Sequence, residues 1–312
     1  MKCRVCRGPA VIDLPAHNAN FCVEHFVAFC RSQVAKAIHE FRMLAPDDRV
    51  LVAVSGGKDS LALWDILLDL GYEADGFVIG LGIGEYSETS TAYARSFAEA
   101  RGAKLIEVDL RADHGFDVPT AAAETKRPAC SACGLSKRHL FDRAALEGGH
   151  AAVATGHNLD DEAAVLFGNT LRWNTEYLAR QRPILPERDG FPRKIKPLVR
   201  LGEREMAAYC VVRGIDYIVE ECPMAAGNKH LTYKDALNLV ELESPGSKHA
   251  FYHQFLRRAA DSFDAETTAH DGNRCSRCDA PSANEICAFC ALVERCAPPA
   301  EVPIDLRARS SR

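Results

Sequence analysis

The run Arg49-Val50-Leu51-Val52-Ala53-Val54-Ser55-Gly56-Gly57-Lys58-Asp59-Ser60 passes from a β-branched segment through two glycines into a leucine-rich one. Residues 49–54 predict a short buried strand. Residues 61–70 (LALWDILLDL) predict a buried helix. A turn between a strand and the helix that follows it is where an open α/β sheet binds ligands. Gly56 and Gly57 permit a tight turn and close backbone approach. Backbone N–H groups at the helix start then face a polyanion. Lys58 adds positive charge, and Ser55 and Ser60 add hydroxyl donors. Two other phosphate loops are excluded. A Walker A loop needs glycine where Val52 stands and Ser or Thr where Asp59 stands, and no G-x-G-x-x-G is present.

Outward from this turn, strand and helix alternate. Strands are expected at 74–81, 104–110, 151–155 and 216–219, and helices at 90–101, 135–147, 160–171 and 203–213. This pattern predicts a parallel sheet with helices on both faces. Residues 182–197 carry Pro183, Pro186, Pro192 and Pro197 and read as loop or extended chain. Further helices are expected at 232–241 and 248–262.

The chain has 312 residues, which at about 100–200 residues per domain suggests more than one. It is 47% hydrophobic and 26% charged, as globular proteins are, so disorder is excluded as the main state. No apolar stretch approaches the ~20 residues of a membrane span. No secretory signal is visible, so the cytoplasm is expected, where thiols stay reduced. Thirteen cysteines there point to metal rather than disulfides.

The cysteines fall into groups. Cys3-x2-Cys6 with Cys22-x2-His25 has the spacing of a closed tetrahedral zinc site, with His17 and Cys30 as competing ligands. Cys275-x2-Cys278-x8-Cys287-x2-Cys290 reads as a zinc ribbon. Cys296 is a spare thiol. The expected organisation is an N-terminal zinc finger (1–30), a catalytic domain (31–265), a C-terminal zinc ribbon (270–295) and a flexible tail (296–312). Cys130, Cys133 and Cys222 are one ligand short of a closed site. They allow three readings: a third zinc completed by Cys210 or a histidine, a redox or persulfide pair, or a [4Fe–4S] cluster with one open iron.

After the strand at 151–155 comes Gly156-His157-Asn158-Leu159-Asp160-Asp161-Glu162, on the same sheet edge as the glycine turn. Asn158 or Asp160 can cap the next helix, and the acids suit its first turn. Acids beside a polyphosphate can also hold Mg²⁺ or move a proton. His157 reads as a structural hydrogen-bonder.

The motif Ser55-Gly56-Gly57-Lys58-Asp59-Ser60 resembles the signature of the PP-loop, or N-type, ATP pyrophosphatases. With residues 81–87, Cys130-Ser131-Ala132-Cys133-Gly134, residues 156–161 and zinc-type cysteines at both ends, the chain resembles the tRNA 2-thiouridine synthetases of the TtuA type over residues 1–292. The resemblance implies an adenine-nucleotide α-hydrolase-like fold that cleaves ATP between the α and β phosphates. It implies ATP on Ser55, Gly56, Gly57, Lys58, Asp59, Ser60, Lys137 and Gly156, with backbone at Ala53 and Ile79 holding adenine. It implies catalytic roles for Asp59, Lys137 and Asp161, Mg²⁺, two Zn²⁺, and Cys130, Cys133 and Cys222 as [4Fe–4S] ligands.

The activity so implied is ATP-dependent tRNA 2-sulfurtransfer. Uridine is adenylated at its C2 oxygen, and that oxygen is then replaced by sulfur, at 5-methyluridine 54 of the T-loop, with wobble uridine 34 as the alternative. Implied partners are tRNA, a ubiquitin-like carrier with a C-terminal thiocarboxylate, and a second copy in a homodimer. An amide-forming PP-loop ligase is the competing enzyme and an RNA-binding adaptor the non-enzymatic reading. Residues 180–204, with eight bases against three acids in a chain of net charge −5, are the expected RNA-contacting segment.

Overall fold

A computed structural model describes residues 1–126, 128–225, 229–263 and 273–296. The chain opens with a two-stranded antiparallel ribbon, β1 (Ile12–Leu14) and β2 (Ala19–Phe21). Helix α1 (Val23–Glu40) follows. It buries Phe26, Cys30, Gln33, Val34, Ala37 and Ile38, the single stripe expected at a period of 3.6. The helix runs without interruption from the first cysteine module through residue 30.

The central unit is then β3 (Arg49–Val54), α2 (Lys58–Asp69), β4 (Glu73–Gly80), α3 (Gly84–Arg101), β5 (Leu105–Asp109), α4 (Leu110–His114), α5 (Val118–Thr125), α6 (Ala129–Glu147), β6 (Ala152–Thr155), α7 (Leu159–Leu171), α8 (Thr175–Ala179), β7 (Ile184–Leu185), β8 (Lys194–Ile195), α9 (Glu203–Arg213), α10 (Lys229–Glu243) and α11 (Ser247–Arg258). The last element is α12 (Ala288–Cys296).

The strands form one sheet in the order β5-β4-β3-β6-β8-β7, parallel throughout except for β7 against β8. From β3 the chain builds outward to β4 and β5, then returns to place β6 on the other side of β3. The carboxyl ends of β3 and β6 therefore flank a topological switch point, where ligands enter such sheets.

Alternate residues of β3 face opposite layers. Val50, Val52 and Val54 pack with Leu61, Trp64 and Tyr209, whereas Leu51 packs with Phe77, Val153 and Leu140. Trp64 donates from Nε1 to the Ala74 carbonyl at 2.9 Å. Its indole lies where a Cβ on Gly76 would stand.

The proline-rich segment 182–197 is loop and extended chain as expected, and its extended parts form the β7–β8 hairpin, with β8 paired to β6. Two expectations are corrected. Residues 216–219 form no strand, and the Ile218 N–H donates to the Gly56 carbonyl at 3.0 Å, at the carboxyl end of β3. Helix α6 starts at Ala129 rather than 135, so Cys130 and Cys133 are helical. The segment 297–312, which covers all of the expected tail except Cys296, lies outside the described residues.

Candidate active site and metal centres

Helix α2 begins at Lys58, directly after the glycine pair, so its unpaired N–H groups face the switch point. Ser60 closes the turn. Its hydroxyl accepts from the Ser55 N–H at 3.1 Å and donates to the Gly57 carbonyl at 2.9 Å. Gly56 has φ +70°, and a Cβ there would overlap the Ser90 backbone. The Ser90 hydroxyl donates to the Ser55 carbonyl.

The second motif locks onto this loop. Asn158 caps α7 in a reciprocal box: its Oδ1 accepts from the Asp161 N–H, and its own N–H donates to Asp161 Oδ2, both at 3.1 Å. The Asn158 amide also donates to Asp59 Oδ1 at 2.8 Å. Gly156 lies flush on the loop, since a Cβ there would stand 2.9 Å from the Ser60 nitrogen. Asn158 caps the helix as expected, and it also links Asp161 to Asp59 of the glycine turn.

Two residues that the sequence did not single out complete it. Lys58 Nζ reaches Asp59 Oδ2 at 3.3 Å and Glu203 Oε1 at 2.7 Å. Lys234 Nζ, from α10, reaches Asp161 Oδ1 at 2.6 Å and Glu203 Oε2 at 3.4 Å. Lys58, Asp59, Asn158, Asp161, Lys234 and Glu203 form a closed ring. Burial raises the Asp59 carboxyl, outweighing the opposing effects of Lys58 and Asn158. Glu203 behaves the other way. Burial would raise it, but the Lys58 and Lys234 ammoniums hold it below the usual value. No spacing signal could have found Lys234, which reads in sequence as an ordinary lysine on a polar helix. Asp160 accepts from the Glu203 N–H at 2.8 Å and pairs with Lys248, so it tethers α9.

Cys130 and Cys133 sit in the first turns of α6, and Cys222 approaches from the loop after α9. Cys133 and Cys222 pack against the same apolar layer as Tyr86 and Met224. Burial raises the Cys133 thiol, with Lys137 opposing and Cys222 and Cys130 reinforcing the rise. Lys137 therefore stands beside this thiol, one helical turn along α6. Cys210 is not a fourth ligand, because it lies in the opposite layer and donates to the Lys58 carbonyl at 3.4 Å. Among the described residues the trio does not close to single-ion spacing. Among the described residues no fourth ligand joins these three soft thiolates, a set that fits an iron–sulfur cluster with one open iron better than a closed zinc site.

The terminal sets do close to single-ion spacing. In Cys3, Cys6, Cys22 and His25, and again in Cys275, Cys278, Cys287 and Cys290, the ligand atoms all lie within 4.8 Å of one another. The Cys6–Cys22 and Cys278–Cys287 sulfur separations are 3.8 and 3.7 Å. The edge of a zinc–thiolate tetrahedron with bonds near 2.3 Å is about 3.8 Å. Either set could hold a metal ion. The Cys287 and Cys290 N–H groups donate to the Cys275 and Cys287 sulfurs. His17 and Cys30 take no part: His17 packs edge-on against Phe29, and Cys30 is buried in the core.

Ala53 and Ile79 sit near the carboxyl ends of β3 and β4, on the layer that faces α6. His157 hydrogen-bonds Thr155 through Nδ1 at 2.8 Å. In the expected RNA segment several bases turn inward. Lys194 pairs with Asp142 and Lys196 with Glu162, both at 2.8 Å, and Arg193 donates to the Met43 carbonyl at 3.2 Å. Arg180 and Arg204 remain exposed.

Residues 2–27 match the family described as 2-thiouridine synthetase TtuA, N-terminal LIM domain, and residues 30–226 match the PP-loop domain. The chain is 49% identical over 293 residues to the tRNA-5-methyluridine(54) 2-sulfurtransferase of Thermus thermophilus, a match that covers 94% of this chain and 91% of that protein. It is 42% identical over 290 residues to the protein of the same name in Pyrococcus horikoshii, covering 93% of each. The solved structure of the U34-tRNA thiolase NcsA from Methanococcus maripaludis with its [4Fe–4S] cluster superposes with a TM-score of 0.78 at 25% identity, covering 96% of this chain and 98% of that one.

Proposed function

Because this chain belongs to the TtuA-type, PP-loop family of 2-thiouridine synthetases, we propose that it is an ATP-dependent tRNA 2-sulfurtransferase acting on 5-methyluridine 54. The observation that carries this reading is the gathering of Cys130, Cys222 and Lys137 about Cys133, in a fold whose phosphate loop is intact. Amide formation by a related ligase has no use for such a thiol set. The names of the 49% and 42% identical relatives favour position 54 over 34.

In this reading the triphosphate lies on the N–H groups of Gly56, Gly57, Lys58, Asp59 and Ser60 and on the Ser55 hydroxyl. Gly156 leaves room for close approach, and backbone at Ala53 and Ile79 holds adenine. The uridine C2 oxygen attacks the α-phosphorus. The α–β bridging bond breaks, and pyrophosphate leaves with the electron pair. Lys58 and Lys137 offset the charge that develops. Asp59 or Asp161 would position Mg²⁺, which neutralises polyphosphate charge, or accept the N3 proton. A sulfur nucleophile then attacks C2, the C2–O bond breaks, and AMP departs.

Cys130, Cys133 and Cys222 would hold the [4Fe–4S] cluster, whose open iron offers a binding place for sulfur. Lys137, beside the Cys133 thiol, would serve both chemistries. Nothing in the sequence generates sulfide, so an external carrier, of the ubiquitin-like thiocarboxylate class, supplies it. Zn²⁺ in each terminal set stabilises the modules. The remaining proposals are the domain boundaries stated above, a cytoplasmic location and a homodimer. No helix among the described residues is long and apolar enough to cross a membrane.

The test is nucleoside mass spectrometry on unthiolated tRNA incubated anaerobically with the iron-loaded protein, ATP and sulfide. Formation of 2-thio-5-methyluridine, with equal AMP and pyrophosphate, is expected. A thiolated wobble uridine would keep the chemistry and move the target. No thionucleoside, with ATP still consumed, would turn the reading to the ligase.

A further inference from the structure

Two ammonium groups from distant parts of the chain converge on one carboxylate. Lys58 Nζ lies 2.7 Å from Glu203 Oε1, and Lys234 Nζ lies 3.4 Å from Glu203 Oε2. The three carboxylates of the ring are not equivalent. Asp59 is fixed by the Asn158 amide, and Asp161 by the Asn158 backbone N–H inside a helix cap. The Glu203 carboxylate is held by the two lysines alone among its described contacts. Its side chain is 43% exposed, against 25% for Asp59 and 27% for Asp161. It stands on the first residue of α9, and its side chain takes no part in that helix's capping box, which Gly202 and Glu205 form.

Electrostatics then decides which group moves. The ring carries two lysines against three carboxylates. A polyphosphate entering beside Lys58 meets a site that is already net negative. The carboxylate with no tether other than the lysines is the one an incoming phosphate can replace, because a phosphate oxygen satisfies the same two ammonium groups.

We propose that Lys234 is a further phosphate ligand of this site, acting with Lys58, and that Glu203 is the internal anion that the terminal phosphates of the nucleotide displace. The inference rests on the ATP-dependent reading above and deepens it. It assigns α10, which follows the Cys222 loop in the chain, a direct part in nucleotide binding. Glu203 keeps the two ammoniums oriented and sets a threshold that AMP, lacking terminal phosphates, does not cross.

The experiment uses the full chain with inorganic pyrophosphate, ATP and AMP as calorimetric titrants. Lys234→Gln should weaken pyrophosphate and ATP binding by about 10- to 100-fold, the worth of one charge-assisted hydrogen bond, and leave AMP within about twofold. Lys234→Arg should retain most of the pyrophosphate affinity. Glu203→Gln, nearly isosteric, should tighten pyrophosphate binding several-fold. Unchanged pyrophosphate affinity in Lys234→Gln overturns the proposal, and so does weaker binding in Glu203→Gln. If Lys234→Gln fails to fold, the sign of the Glu203→Gln effect still decides. Wild-type protein that binds neither ATP nor pyrophosphate would sink the ATP-dependent reading itself. Wild-type binding matched by Lys234→Gln would sink this inference alone.

Discussion

Asn158 donates from Nδ2 to Asp59 Oδ1 at 2.8 Å, across 99 residues of sequence. The same side chain accepts from the Asp161 N–H through Oδ1. One carboxamide therefore caps α7 with its oxygen and positions a loop carboxylate with its nitrogen. The orientation is fixed by its neighbours, since Asp59 can only accept and the backbone N–H can only donate.

The two duties separate by substitution. Asn158→Ser keeps a capping oxygen but loses the amide donor, so the melting temperature should fall by no more than a few degrees. Asn158→Ala loses both and should cost a further ~1 kcal/mol. Turnover should fall at least about tenfold in both variants, because each leaves Asp59 without its hydrogen-bonded position. Thermal melts alongside AMP release check this. A Ser variant with wild-type turnover would reduce Asn158 to a cap.

Asp59 also predicts the acid limb of the pH profile. Burial lifts its carboxyl above the ordinary 3.8, against Lys58 and Asn158, which lower it. If the ionised form is required, the half-point of kcat/KM at low pH lies above 3.8. Lys58→Met, which removes a cation, should move it further up. The effect on stability has the opposite sense. The folded state binds this proton more tightly than the unfolded one, so Asp59 subtracts stability as pH rises from 3.8 through its folded value, and no more beyond that. A limb that shifts downward in Lys58→Met would exclude Asp59 as the titrating group.

The fold was legible because its signals are local. A β-branched run, a glycine pair and a leucine-rich run place β3, the loop and α2 without reference to anything distant. Cysteine pairs, and one cysteine–histidine pair, with two residues between them made the terminal modules equally plain. What was missed depends on long-range pairing. The β7–β8 hairpin inside a proline-rich stretch pairs with the edge of β6, and residues 216–219 turn to the Gly56 carbonyl instead of forming a strand. Lys196 reads in sequence as a base for RNA and in the fold as the partner of buried Glu162. Lys234 and Glu203 join the site only because α10 packs on α7 and α9 packs on α2, which no spacing rule encodes.

Metal content should divide along the same lines. The wild-type chain should carry two zinc ions and, after anaerobic reconstitution, about four irons. Cys222→Ser should lose iron and keep both zincs, and Cys210→Ser should keep both metals. Cys287→Ser should lose one zinc. It should also lower iron occupancy, because Phe289 of that module stacks on His139 of α6 at 4.2 Å, on the helix that bears Cys130 and Cys133. Plasma emission spectroscopy on each variant decides this. Full iron in Cys287→Ser would show that the module does not brace α6.

Glycine substitutions separate backbone strain from steric overlap. Gly56 and Gly71 both hold positive φ, +70° and +89°. An alanine at either position should cost about 1–3 kcal/mol in strain. At Gly71 the added Cβ meets nothing within 4 Å, whereas at Gly56 it runs into the Ser90 backbone. Gly71→Ala should therefore lower the melting temperature and leave ATP affinity intact. Gly56→Ala should lower it further and abolish ATP binding, because relieving the overlap must move the N–H groups of the loop. Gly156→Ala should fall between, since its Cβ would press on Asp59 and Ser60 at about the limit of contact. Equal ATP affinity in Gly56→Ala and Gly71→Ala would remove this loop from the nucleotide site.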